Sequence, residues 1–163
     1  MSIIKNFEVL SPGEYAAKTA MLSAQAEQRD WTQTMIWYPG EITDYFAEMM
    51  RCAAARGVDT RLNVAAYSLK TIDLQNDFGP FRLARRLLHP KASVWLEERR
   101  LANMAMLDNL KREGIRVQLL NPPNLLQRMI PQIGNDHRKM RVIDNVGFLM
   151  GFNYYDWNFE VID

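Results

Sequence analysis

An α/β domain with a mixed, largely parallel sheet flanked by helices is the fold this sequence predicts, and three observations carry it. Segments of helical and strand character alternate as helix, strand, helix, strand, helix, strand, and a strand pair follows. The 163 residues match one ordinary domain, so 1–163 are read as a single unit able to bury a core. An apolar fraction of 48 % is that of a folded globular chain.

The first helix is announced by "SPGE" at Ser11: a capping serine, proline at the first helical position, and glutamate three residues after the cap. Tyr15, Leu22 and Ala26 share one face of it, with Thr19 among them. "WTQTMIWYPG" has the Trp, Thr and Ile of a short strand, closed by the Pro39-Gly40 turn. From Glu41, the spacing of Ile42, Tyr45, Phe46, Met49, Met50 and Ala53 gives the strongest helical stripe, with Gly57 as its C-terminal cap. "VDTRLNVAA" is a second strand. "YSLKTIDLQNDFGPFRLARRLLHPKAS" mixes turn formers with a basic amphipathic run, and a helix follows over about 93–113, ended by Gly114. "GIRVQLLNPP" is the third strand, stopped by two prolines. After a long loop come two strands, about 137–143 and 147–152. Methionines and aromatics on the helices read as core.

Charge and cysteine narrow the function. A formal net charge of +1 supplies no whole-molecule field toward nucleic acid or membrane, so any polyanion contact must come from a local patch. Cys52 stands alone, which excludes a disulfide framework and a thiolate metal cluster and points to a reducing compartment and a buried, structural thiol. The opening "MSIIKNFEVLSPGE" lacks the features of a signal peptide, and no apolar run approaches the roughly 20 residues of a membrane-spanning helix. The expected location is the cytoplasm or the periphery of a membrane's inner face.

Chemistry gathers near the C-terminus, in "NDHRKMRVIDNVGFLMGFNYYDWN". His137 and Lys139 are two residues apart and share a strand face, as do Gly151 and Asn153 on the next strand. A hairpin aims an imidazole, an ammonium, a carboxamide and a side-chain-free backbone at one spot. That set suits a phosphoryl centre. Lysine and asparagine bind non-bridging oxygens, and a neutral imidazole attacks phosphorus or moves a proton near pH 7. Asp144 sets an imidazole's tautomer if the turn folds back, or serves a histidine elsewhere in the site. The plainer reading is a solvated hairpin whose charges keep an edge soluble. Zinc-spaced ligands, a Gly-rich phosphate loop and a nucleotide-binding fingerprint are absent, so neither metal nor cofactor is expected.

"HRKMRVID" followed by "GFN" resembles the phospholipase D superfamily, most closely its bacterial cardiolipin synthase-like branch. "AAARGVDTRLNV" and "LKREGIRVQLLNPP" extend the resemblance upstream, so it runs roughly from Ser11 to Asn153. It implies that His137 is the nucleophile that forms a phosphohistidine, or the acid that protonates the leaving alcohol. Lys139, Gly151 and Asn153 would bind the substrate phosphate, and Asp144 would orient the histidine, without metal. Met150-Gly151 stands where the family has two small residues, and the turn after Asp144 is about one residue short.

The implied chemistry uses two histidines, and this chain carries one motif. "HPK" at His89 has Leu96 where the aspartate belongs, and Pro90 disfavours a central strand, so His89 reads as a surface or packing residue. The second motif would come from a homodimer partner or from a missing half of a longer chain. The function expected on this resemblance is a phosphodiesterase or phosphatidyltransferase acting on phospholipid. The alternatives are a metal-independent nuclease working as a homodimer and a non-catalytic binding module. Trp31, Trp37, Tyr154, Tyr155 and Trp157 line a lipid-facing mouth or belong to the core. Arg82, Arg85, Arg86 and Lys91, among Phe81, Leu83, Leu87 and Leu88, make peripheral membrane contact or form a solvated helix. Nucleic acid ranks below phospholipid as a partner, since it needs a basic groove.

Overall fold

Helix α1 (Pro12–Gln25) starts on the capping box its sequence encodes. The Glu14 N–H donates to the Ser11 hydroxyl at 3.3 Å and the Ser11 N–H to the Glu14 carboxylate at 2.8 Å, satisfying two donors that a helix start leaves open. The computed structural model describes residues 8–65, 87–88, 90–120, 138–154 and 156. After α1 come β1 (Arg29–Thr34), α2 (Glu41–Ala55), β2 (Asp59–Ala65), α3 (Pro90–Arg112), β3 (Arg116–Leu120), β4 (Met140–Ile143) and β5 (Val146–Leu149).

The chain is an α/β domain with a five-stranded mixed sheet flanked by helices, in the order β3-β2-β1-β4-β5. Strands β1, β2 and β3 run parallel, which requires crossovers long enough to hold a helix. Strand β4 pairs antiparallel with β1, and β5 returns antiparallel to β4. Alternation along the strands divides the sheet into two faces. Thr32 and Thr34 of β1, Leu62 and Val64 of β2, and Arg141 and Ile143 of β4 are buried. On that side Tyr15, Phe46, Met50, Leu107 and Leu110 from the three helices join Trp37, Leu62, Val64 and Tyr154 in one cluster. Trp31, Gln33, Arg61 and Asn63 alternate with the buried positions and stay half-buried on the other face.

Several boundaries differ from the sequence reading, each for a local reason. Helix α3 begins at Pro90, earlier than expected, because proline's fixed φ and missing N–H suit a first helical position. Strand β1 stops at Thr34, since the chain beyond it pairs elsewhere: Trp37 bridges Tyr154, and the Tyr38 N–H donates to the Tyr154 carbonyl at 3.3 Å. Gly57 and Gly114 follow α2 and α3 in the left-handed region, with φ of 88° and 90°. Cys52 corrects the expectation of a buried thiol. It is exposed, because the buried arc of α2 runs through Phe46, Ala47, Met50 and Ala53.

Helix α2 has no side-chain cap from its own N-terminal residue Gly40. Asp156 supplies one from afar, its carboxylate accepting the Ile42 N–H at 3.0 Å. A Cβ on Gly40 would press into that carboxylate. Gly40→Ala is therefore expected to displace the cap and cost about 1 kcal/mol, read as a lower urea midpoint; an unchanged midpoint would remove Asp156 from this role. No described helix is long and apolar enough to cross a membrane.

Candidate functional site

The three parallel strands end at one edge of the sheet, the side on which open α/β sheets collect ligands. Strand β4, running the other way, starts at that edge and brings Lys139 beside the end of β1. Lys139 is only 6 % exposed. Its carbonyl accepts the Met150 N–H at 2.9 Å, tying the chain that leaves β5 to the same place. Asn153, also buried, follows directly, and its Oδ1 accepts the Ile36 N–H at 3.3 Å just past β1. Lys139 and Asn153 thus lie near one strand end, although β5 stops at Leu149 and Asn153 lies beyond it. Burial pushes the Lys139 pKa down, because the ammonium loses solvation. Gly151 is exposed, and no described residue would come within 4 Å of a Cβ there. His137, His89, Tyr155, Trp157, Arg82, Arg85 and Arg86 lie outside the described residues. Leu87, Leu88 and Lys91 are exposed.

Asp144 is not part of this edge. It opens the turn after β4, at the opposite end of that strand from Lys139. Five residues of extended chain separate the two by about 16 Å. Its carboxylate accepts the N–H groups of Glu27, Gln28 and Arg29 at 3.1, 2.9 and 3.0 Å. The N–H bonds from Arg29 and then Glu27 hold its pKa below the usual carboxyl range. The expected role in orienting a histidine beside Lys139 is corrected: Asp144 closes the hairpin onto the α1–β1 turn.

Sequence reasoning missed the polar core beneath the edge. Arg141 donates from Nε to Asp30 Oδ1 at 2.9 Å and from Nη2 to Oδ2 at 2.7 Å, and the two side chains are 1 % and 0 % exposed. The Ser23 hydroxyl donates to the same carboxylate at 2.6 Å. Arg141 also sits over the Phe46 ring, 5.5 Å from its centroid. Burial alone would push the Arg141 pKa down, yet the charge and hydrogen bonds of Asp30 outweigh it and hold the guanidinium above its ordinary value. Nearby, the Tyr15 and Tyr154 hydroxyls lie 2.5 Å apart, and burial raises both tyrosines. One signal was present in "HRKMRVID": alternation puts Arg141 on the same face as Lys139, toward the helices.

Fold and edge together define an α/β domain with a lysine and an asparagine at the carboxyl end of its parallel strands. Among the described residues, no three His, Cys, Asp or Glu side chains are grouped to hold a metal ion. No family model and no curated protein matches the chain. Among solved structures, a similar chain is TrmBL2, an archaeal chromatin protein described as showing a novel mode of DNA binding, at 15 % identity and a TM-score of 0.45. The match covers 92 % of this chain and 44 % of that one, so this chain spans less than half the length of that protein.

Two expectations are corrected here. The phospholipid phosphodiesterase or phosphatidyltransferase is withdrawn, and nucleic acid no longer ranks below phospholipid as a partner. At that level of similarity neither fold nor function transfers, and the physical reasons lie in the molecule. Trp37 and Tyr154, offered as a lipid-facing mouth, are wholly buried in the core. The aspartate assigned to the reaction stands at the wrong end of its strand.

Proposed function

We propose that this domain binds the phosphodiester backbone of a nucleic acid at the carboxyl edge of its parallel strands. Lys139 and Asn153 are the phosphate-binding groups. The observation that carries this reading is an ammonium held almost out of water at the ligand-collecting edge of the sheet. An ammonium in that position can give a phosphate oxygen a charge-assisted hydrogen bond. The resemblance of "HRKMRVID" and "GFN" to the phospholipase D superfamily supports it, since that family would place phosphate on the same two residues. Nucleic acid is favoured among phosphodiesters because the far face of the sheet carries Arg29, Arg61 and Arg116 around the carboxylate of Asp59.

Titration with inorganic pyrophosphate and with a short oligonucleotide tests this. Lys139→Met is expected to weaken both about tenfold, or about 1.4 kcal/mol, whereas Lys139→Arg keeps the charge and most of the affinity. Binding is also expected to fall as pH rises through the Lys139 pKa, earlier than for an ordinary lysine. The stability sign is the reverse. In that window the unfolded chain holds a proton that folded Lys139 has released, so the ligand-free protein gains stability as pH rises. Unchanged affinity in Lys139→Met would sink the reading.

A further inference from the structure

We infer that the sheet face turned away from the helices is a stacking platform for the unpaired bases of a single-stranded nucleic acid, centred on Trp31 and Arg61. The inference rests on the nucleic-acid reading above and names the class of strand. Register places two rows across β1, β2 and β3. Trp31 lies beside Arg61 and Arg61 beside Arg116, while Gln33 lies beside Asn63 and Asn63 beside Gln118. One row is aromatic and cationic, and the next is made of three carboxamides.

The first row is stiffened from within. Arg29 and Arg61 place their guanidinium carbons 5.1 and 4.4 Å from the centroid of the Trp31 ring. Asp59 holds the assembly at its rim. It accepts the indole N–H at 3.1 Å and two Arg61 donors, from Nε at 3.0 Å and Nη2 at 2.7 Å, while Arg116 Nη1 lies 3.5 Å away. The Arg61 hydrogen bonds keep the Asp59 carboxyl below its usual range, so this carboxylate stays charged and the plane stays set. Three arginines against one aspartate leave the patch positive, and the Arg116 side chain is 71 % exposed.

Each part matches one part of a nucleic-acid strand. Guanidinium and indole planes offer flat surfaces on which any base stacks. Carboxamides donate to and accept from base edges. Exposed arginine neutralises backbone phosphate. A duplex keeps its base faces stacked inside and cannot use the platform, so the geometry selects unpaired strands. The site is separate from Lys139, which lies toward the other end of β1.

The test is fluorescence anisotropy of a labelled oligothymidylate and of a duplex of equal length, titrated with the full chain at several salt concentrations. The single strand is expected to bind at least about tenfold more tightly than the duplex. Arg61→Gln is expected to cost about tenfold on the single strand. Arg116→Gln, on a side chain too exposed to affect folding, is expected to lower the slope of log affinity against log salt by about 0.7. Gln118→Ala is a second exposed variant and is expected to weaken binding without changing that slope. Pyrophosphate titration of the same proteins reports the Lys139 edge separately. Equal affinity for duplex and single strand, or wild-type binding and slope in Arg61→Gln and Arg116→Gln, overturns the platform. If Lys139→Met still loses pyrophosphate and oligonucleotide then, the edge site survives alone. A chain that binds pyrophosphate but no oligonucleotide overturns both the platform and the nucleic-acid assignment.

Discussion

Arg141→Met is expected to destabilise the domain by about 3–5 kcal/mol, the cost of leaving one charge of a buried pair without its partner. The substitution removes both guanidinium bonds to Asp30 and leaves a carboxylate at 0 % exposure that still accepts the Ser23 hydroxyl. Asp30→Asn should fall in the same range, since it leaves the guanidinium in the core without a counter-charge. Arg141→Lys should not rescue, because an ammonium cannot reproduce the two-pronged contact or lie flat over Phe46. The double variant Arg141→Met with Asp30→Leu should recover much of the loss, as a well-packed apolar pair avoids the desolvation both charges incur. Urea unfolding of the four proteins measures this. A single-site loss below about 1 kcal/mol would mean that the pair is solvated and not part of the core.

Asp144→Ala is expected to cost about 2 kcal/mol by removing a carboxylate that gathers three backbone N–H groups at a partly solvated turn. The residue also holds a φ of 46°, which aspartate and asparagine tolerate better than alanine. Asp144→Asn keeps the backbone preference and part of the hydrogen bonding, so it should lose less. The folded pKa is depressed, so this contribution is complete above the ordinary carboxyl pKa of 3.8 and fades as pH falls through the lower folded value. Wild type and Asp144→Ala should therefore converge in stability as acid protonates the group. Pyrophosphate affinity of the folded variant should stay at the wild-type level. A large loss of affinity with intact stability would return Asp144 to the binding site and contradict its placement at the far end of β4.

These two residues show where reading the chain alone reached its limit. "HRKMRVID" looks like one functional unit because its members are close in sequence, yet a strand sends neighbours to different faces and different ends. Lys139 goes to the carboxyl edge of the parallel strands, Arg141 into the core and Asp144 to the remote turn. The pattern of two would have turned Arg141 toward the helices together with Lys139. It held no information about Asp30, 111 residues away.

Element order, the capping box at Ser11, the stripe on α2, the glycines after α2 and α3 and the α/β class were all determined by the sequence itself. Each depends on periodicity or capping within a few residues, where backbone geometry alone decides the outcome. Strand order, the Arg141–Asp30 pair, the far cap from Asp156 and the burial of Trp37 with Tyr154 were decided only in the tertiary structure. Pairing between distant segments and the removal of water from charge have no local period, and they take effect only once the layers have closed on each other.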